Sequence, residues 1–353
     1  MKLSVMIPTY RRAHLLDYVL DGLRRQTYKD FEVVIVLKPS EDGTEEIVEN
    51  YGKWLSINLV FQKHGYVVDA LNLGLKHVRG DIIAFLDDDA VPCMDWVQRH
   101  IESYEGANVG GVAGNVIPAI LREEKLLKVE GLSHIIPSFR SSSLLESIFC
   151  KACNQPLEGL EDYLVYLSKA GVVEYNSDIS RLAWRQSVKS LLGMGANMSV
   201  SSEAVKGFSF PSSWILGLAW EQFLGWHLWR KGYTLLFNPK ASVYHLVHGE
   251  TLTRNIRSVK KDVLRFVENN LLFYRLYGFE PKLSKMHRIT WLIFSSLVNL
   301  KKLCVDKDLK QFAQLKGRFY SELIGLKWIL SRKVGGNYAP LIDLKKLMQK
   351  ARL

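Results

Sequence analysis

The chain has 353 residues, 48% hydrophobic and 24% charged, which excludes a disordered polymer and allows a large core in one big domain or two. Its net charge of +11 is uneven: residues 251–353 hold 22 basic and 7 acidic side chains, and residues 1–250 hold 25 and 29. A basic tail interleaved with Trp, Phe, Leu and Ile points to an anionic membrane surface or nucleic acid, and four cysteines in so long a chain exclude a disulfide-built fold.

Leu3 to Ile7 is a short apolar run ending at Pro8-Thr9-Tyr10, which predicts a first strand. No charged and apolar leader precedes it, so no secretory signal peptide is expected. Leu15, Leu16, Val19, Leu20 and Leu23 recur at helical spacing over residues 15–25. Phe31–Leu37, rich in β-branched residues, predicts a second strand. Gly43-Thr44 opens a helix, Ile57–Phe61 reads as a third strand, and residues 69–77 as a helix with Leu71 and Leu75 inward. Ile82–Leu86 then forms a fully apolar strand closed by Asp87-Asp88-Asp89. Such alternation predicts a parallel sheet with right-handed crossovers.

Beyond Pro92 the pattern predicts a helix near 95–104 and a strand near 109–113. Residues 119–190, with Pro137 and serines at 141–143, are less regular and read as an insertion that shapes a pocket. Cys150-Lys-Ala-Cys153 has metal or redox spacing, but without a second pair it reads as two ordinary thiols. Turn and strand character returns over 193–200, a helix over 219–231, and strands over 233–237 and 241–244. From Thr251 onward the pattern is helical, amphipathic and basic. Ile289 to Leu300, its longest apolar stretch, is too short to span a bilayer as one helix. Cytoplasmic residence is therefore expected, with peripheral membrane contact from one side.

The three acids carry the chemistry. Along a strand Asp87 and Asp89 project to one side and Asp88 to the other. Carboxylates gathered at a strand's carboxyl end repel one another unless a cation sits between them, and ligands of open α/β sheets bind just beyond such ends. A divalent metal carrying a phosphate-containing ligand is the sharp reading; an acidic turn is the plain one.

Further motifs narrow the choice: Ser4-Val-Met-Ile-Pro-Thr-Tyr10, Gln26-Thr27-Tyr28, Ala70-Leu-Asn72-Leu-Gly74, Gly80-Asp81, Ala84-Phe-Leu-Asp-Asp-Asp89, Gly195-Ala-Asn197-Met, Glu221, Lys231-Gly232-Tyr233 and Val243-Tyr-His245. In this order over residues 3–248 the chain resembles an inverting glycosyltransferase of family 2. The resemblance implies a GT-A fold: α/β, a Rossmann-like and mostly parallel sheet flanked by helices, here with a mainly helical basic C-terminal extension. It implies a nucleotide-sugar-binding half at 1–115 and an acceptor-binding and catalytic half at 116–250; the helical basic region at 251–353 is, from its own composition, either membrane-associating or a cap on the catalytic domain. Asp89 would hold Mg²⁺ or Mn²⁺ bridging the donor diphosphate. Asp87 would reach the ribose or a metal-bound water, and Asp88, Pro8, Thr9 and Tyr10 would line the nucleotide site. His245 would stand near the metal, and Glu221 would act as base on the acceptor hydroxyl. Asn197 and Trp220 would meet the acceptor. Trp214, Trp220 and Trp226 offer faces to sugars, or simply fill the core.

Two departures from the family pattern stand out. The acid that usually pairs with uracil after the second strand is replaced in Val36-Leu37-Lys38, leaving Glu41 or Asp42 as substitutes, and the Arg that often precedes the helix Asn is Leu71. Uridine recognition is therefore not implied. The Glu-Asp pair usual at the base is also absent, since Gln222 follows Glu221. The expected partners are a nucleotide-sugar donor, a saccharide or lipid-linked acceptor and a membrane surface, with no nucleic acid. Arg254, Arg257, Lys260, Lys261 and Arg265 with Phe266 and Leu271–Phe273, then Arg275, Lys282, Lys285 and Arg288 ahead of the Trp291–Leu300 stretch, are the membrane-facing residues of this reading, against a plain helical cap. A polyprenyl-phosphate sugar synthase is the alternative enzyme, and a nucleic-acid-binding or scaffold protein the alternative of another class.

Overall fold

The apolar runs fold as the strands they predict, because each can be buried on both faces only inside a sheet covered by helices. The structure, a computed structural model, describes residues 1–123, 125–129, 152–193, 195–211, 214–247, 259–307, 309–334 and 340–351. In chain order the N-terminal elements are β1 (Leu3–Thr9), α1 (Ala13–Arg24), β2 (Phe31–Leu37), α2 (Thr44–Tyr51), β3 (Ile57–Phe61), α3 (Val67–Gly74), β4 (Ile82–Leu86), β5 (Ala90–Pro92), α4 (Trp96–Glu102), β6 (Val109–Arg122) and β7 (Lys125–Lys128). Then come β8 (Val165–Leu167), β9 (Val173–Tyr175), α5 (Ser177–Ala183), β10 (Val188–Lys189), β11 (Asn197–Ser201), α6 (Trp220–Arg230) and β12 (Thr234–Leu246). The C-terminal region contains α7 (Val259–Asn270), α8 (Leu272–Leu276), α9 (Lys285–Asp306), α10 (Leu309–Lys333) and α11 (Pro340–Ala351).

The main sheet runs β10-β12-β6-β11-β4-β1-β2-β3, with β5 added beside β12 and β7 beside β6. β3, β2, β1 and β4 are parallel, joined by helical crossovers, and β6 and β12 form a second parallel pair. Antiparallel β11 stitches these two groups together. The α/β architecture with a helical C-terminal region is thus the one expected. β6 runs on through residue 122, across the 115/116 boundary, and β12 is one strand where two were predicted. A register shift between Asn238 and Ser242 absorbs Pro239 within the sheet.

Strand alternation divides the core between the two faces. Leu3, Val5, Ile7, Ile82, Ala84 and Leu86 pack with the leucines of α1, while Met6, Ile83, Phe85, Met198 and Val200 face the other side. That second core takes in α7 and α8: Val263, Leu264, Val267, Leu271, Leu272 and Phe273 are buried in it, beside Trp214. Leu271–Phe273, expected at a membrane, are therefore core residues, and Arg265 turns to Asp262 at 3.5 Å. A helix buries whichever apolar stripe meets the body first, and composition does not say which one that is. Arg254, Arg257, His248, Pro137, the serines at 141–143 and Cys150 lie outside the described residues. Cys153 is a buried free thiol. Among the described residues no helix is long and apolar enough to cross a membrane.

Candidate active site

The carboxyl ends of β1 and β4 lie side by side, which brings Thr9 to the acid triplet. Asp88 accepts hydrogen bonds from the Thr9 hydroxyl at 2.8 Å and from Arg12 Nη1 at 2.7 Å, and Arg12 Nη1 also reaches Asp89 at 3.1 Å. The tight turn after β4, closed by Ala90 N–H on the Asp87 carbonyl, leads into β5. β5 pairs with the end of β12, setting His245 opposite Ala90, and the Leu246 N–H donates to the Asp89 carbonyl at 2.9 Å. His245 Nε2 thereby comes to 3.2 Å from Asp89 Oδ1. One ligand atom from each of Asp87, Asp89 and His245 falls within a 4.8 Å cluster, while Asp88 turns to Thr9 and Arg12. All three acids, expected from the sequence to continue the strand, lie in the turn after it, and the turn still sets Asp88 apart from Asp87 and Asp89.

Burial makes this cluster electrostatically demanding. The Asp87 carboxyl is pushed up to about 7 by desolvation, then by Asp89, with His245 opposing. Asp88 is raised too, by desolvation set against the Arg12 guanidinium. The two carboxylates and the imidazole of the cluster offer a hard donor set at ligating separation, which fits a divalent cation such as Mg²⁺ or Mn²⁺.

Glu221 stands in the first turn of α6. The helix is entered through Gly217 and Ala219, both at positive φ (74° and 65°), and Ala219 is a strained position for a residue with a Cβ. The Glu221 carboxylate takes a hydrogen bond from the Gly195 backbone N–H, whereas its Oε2 is buried without a hydrogen-bond partner among the described residues. Desolvation, with Asp87 nearby, lifts this carboxyl to about 7. Tyr175 on β9 is close enough to feel Glu221: burial first, then Glu221 and Glu174, push its phenol up to about 12. Burial lifts Glu174 to about 7.

Gly195 holds this corner together. A Cβ there would meet Trp220 Cζ2 at 2.7 Å, in rigid ring contact rather than against a flexible chain end. Gly195→Ala is expected to cost about 1–3 kcal/mol through overpacking and to displace the backbone donor to Glu221. Denaturant unfolding and turnover, measured together, should both fall.

The structure separates the remaining sequence expectations. Pro8, Thr9 and Tyr10 sit at the mouth of β1, with Arg11 and Lys38 over the Tyr10 ring at 5.0 and 5.3 Å. Lys38 Nζ donates to the Gly65 carbonyl. Asp42 accepts from Ala13 N–H, Ser40 and Thr44, so it caps α1 instead of reading a base. Asn197 is corrected from acceptor contact to core residue. It is fully buried, its amide donates to the carbonyls of Asn115 and Ala241, and its oxygen lies within hydrogen-bond distance of Trp96 Nε1 and His100 Nε2. No hydrogen-bonding capacity is left for a sugar. Trp220 is 7% exposed and packs on Phe85 and Phe210 with ring centroids 5.4 Å away. Trp214 and Trp226 are core as well.

Sequence reading missed Arg12, although a cation just past β1 beside a parallel acid-ended strand is a usable signal. It also missed Glu268 on α7, which has none, because a glutamate in an amphipathic helix reads as solvent-facing. Glu268 is fully buried and accepts the backbone N–H groups of Ile215, Leu216 and Leu218, the loop that feeds α6. Arg275 stacks over Trp214 at 3.9 Å and donates to the Glu268 carbonyl. The C-terminal region thus braces the loop leading to Glu221. Glu268→Ala should cost about 3 kcal/mol, since buried donors lose a charged acceptor, and should lower kcat by misplacing Glu221. Chemical denaturation and turnover check both.

Parts of the chain are similar to known proteins. Residues 4–132 match the family model for Glycosyl transferase family 2. Relatives include glycosyltransferase AglE of Haloferax volcanii, 35% identical over 118 residues, 32% of this chain and 38% of the relative. Validoxylamine A glucosyltransferase of Streptomyces hygroscopicus subsp. jinggangensis is 42% identical over 108 residues, 30% of this chain and 26% of the relative. The chain therefore matches less than half the length of these relatives. Similar solved structures include the mannosyltransferase PcManGT from Pyrobaculum calidifontis in complex with GDP-Man and Mn²⁺, 15% identical, covering 98% of this chain and 84% of that one at a TM-score of 0.49. S. aureus TarS 1-349 in complex with UDP-GlcNAc is 16% identical, covering 96% and 93%, at 0.48. The likeness to glycosyl transferase family 2 thus lies in residues 4–132, acid triplet included.

Proposed function

We propose that the protein transfers a sugar from a nucleoside-diphosphate donor to an acceptor hydroxyl, with inversion and with the help of a divalent cation. The observation that supports this most is the convergence of Asp87, Asp89 and His245 within 4.8 Å at the carboxyl edge of a family 2 sheet, with Glu221 close enough to Asp87 to feel its charge. In this reading Asp87, Asp89 and His245 hold Mg²⁺ or Mn²⁺, which when bound supplies positive charge for the leaving diphosphate. Arg12 keeps Asp88 and Asp89 in place from the other side. Glu221 removes the acceptor hydroxyl's proton as that oxygen bonds to the anomeric carbon and the bond to diphosphate breaks. A carboxyl near 7 suits a base at neutral pH.

The base slot is read as cationic. Tyr10 offers a stacking face flanked by Lys38 and Arg11, and Lys38 occupies the stretch where the family carries an acid. A base presenting carbonyl oxygens would meet the Lys38 ammonium. The test is a panel of UDP-, dTDP- and GDP-sugars scored for binding and slow donor hydrolysis with and without Mn²⁺. Saturable, metal-dependent hydrolysis of one donor is the expected result, and no response to any of them overturns the reading.

A further inference from the structure

Two C-terminal helices carry apolar side chains on the wrong side for a core. On α9, Met286, Ile289, Ile293, Leu297 and Leu300 are all exposed and follow one another at three- and four-residue steps, which places them on one face. On α10, Phe312, Phe319, Leu323, Leu326 and Leu330 are exposed too and, at steps of seven, four, three and four, also share one face. Ile293 is 59% and Phe319 62% exposed. Isolated apolar residues on a surface are ordinary, but half of the exposed large apolar side chains among the described residues fall within positions 285–334.

The inner faces of these helices are already used. Gly317 and Gly325 of α10 pack so closely on Phe266 of α7 and Tyr274 of α8 that neither has room for a Cβ. Arg288 of α9 reaches Glu322 of α10 at 2.6 Å, and Trp291 lies between Arg288 and Arg318. On α10 the exposed stripe is therefore the side turned away from α7 and α8, and on α9 it avoids the Arg288–Trp291 contact with α10. Residues 285–334 hold 11 Lys and Arg against 3 Asp and Glu. Exposed Lys301 borders the first stripe and exposed Lys316 the second, whereas Lys327 beside it pairs with Asp343 at 3.2 Å.

We infer that the α9–α10 hairpin lies flat on an anionic lipid surface, with both stripes in the acyl boundary and the flanking lysines at the headgroups. An apolar face with a cationic border is the chemistry of an interfacial helix. Pairing with a second copy of the same face would bring two strongly positive surfaces together, at a cost in repulsion. At 22 and 25 residues the helices run about 33 and 38 Å along such a surface. Neither is apolar enough to cross it.

The test is flotation of the full chain with vesicles of phosphatidylcholine alone or mixed with phosphatidylglycerol, which reads binding without any sugar donor and so stands apart from the catalytic reading. The wild type should float with the anionic vesicles and not with the neutral ones. Ile293→Ser with Leu297→Ser, and separately Phe319→Ser with Leu326→Ser, alter only exposed positions and should each weaken binding roughly tenfold or more. Lys301→Glu with Lys316→Glu should weaken it at least as far and make what binding remains less sensitive to salt. Donor hydrolysis in solution should be unchanged in all three, which certifies their fold. No flotation of the wild type, binding untouched by the serine pairs, or a wild-type oligomer that those pairs dissolve into monomers would each overturn the inference.

Discussion

Asp89→Asn should abolish metal-dependent turnover, by roughly a thousandfold or more, while leaving the fold standing. The magnitude follows from losing several kcal/mol of charge stabilisation on the leaving group. The survival of the fold follows from the local electrostatics. Asp89 is the largest charge pushing the Asp87 carboxyl up, and Asp88 is kept in partnership by Thr9 and Arg12 whatever happens at 89. Neutralising Asp89 relieves repulsion among three neighbouring acids, which offsets the loss of its own contacts with Arg12 and His245. Thermal unfolding separates the two effects. Mn²⁺ should raise the wild-type midpoint by binding the folded state alone, and should leave the Asp89→Asn midpoint unmoved. A variant that still responds to Mn²⁺ places the metal elsewhere; one that unfolds outright makes Asp89 a structural acid.

The legible part of this molecule is the part governed by short-range pattern. Phe31–Leu37 and Ile57–Phe61 were readable to the residue because an apolar β-branched run bounded by polar turns has one outcome in an alternating chain. Asp87 and Asp89 do come together, but in the turn that follows β4 and not through the alternation of a strand. Asn197 reads differently from sequence because its signal, a Gly-Ala-Asn turn, is local, whereas its partners Trp96, His100, Asn115 and Ala241 come from three other segments. Glu268 was invisible for the same reason: its three backbone partners lie more than forty residues away. In the C-terminal region the amphipathic character was legible, but which stripes the body covers was not. The stripe with Leu271–Phe273 faces the body, and the stripes on α9 and α10 face out. Which side of an amphipathic helix is covered depends on the rest of the fold, so a single sequence leaves it open.

Glu221→Gln should reduce kcat by roughly 10² to 10⁴, the range for losing a general base, with donor affinity unchanged because the amide keeps the shape and the Gly195 hydrogen bond. The pH dependence identifies the role. The base must be ionised, so wild-type kcat/KM should rise as pH climbs through about 7 in weak-metal conditions and level off above it. A cation held at Asp87 opposes one cause of the upward shift, so saturating Mn²⁺ should move that limb to lower pH. In the glutamine variant the limb should vanish. Stability should change in the opposite sense to activity. Because folding raises this carboxyl above its ordinary 4.5, wild-type stability falls as pH rises from about 4.5 to about 7, and the deficit persists above that. Glutamine carries no such deficit, so at pH above 7 the inactive variant should unfold at a higher denaturant concentration than the wild type. If instead the variant keeps its turnover, the acceptor is a nucleophile already ionised, such as a lipid phosphate, and Glu221 is a helix-terminal acid with no proton to take.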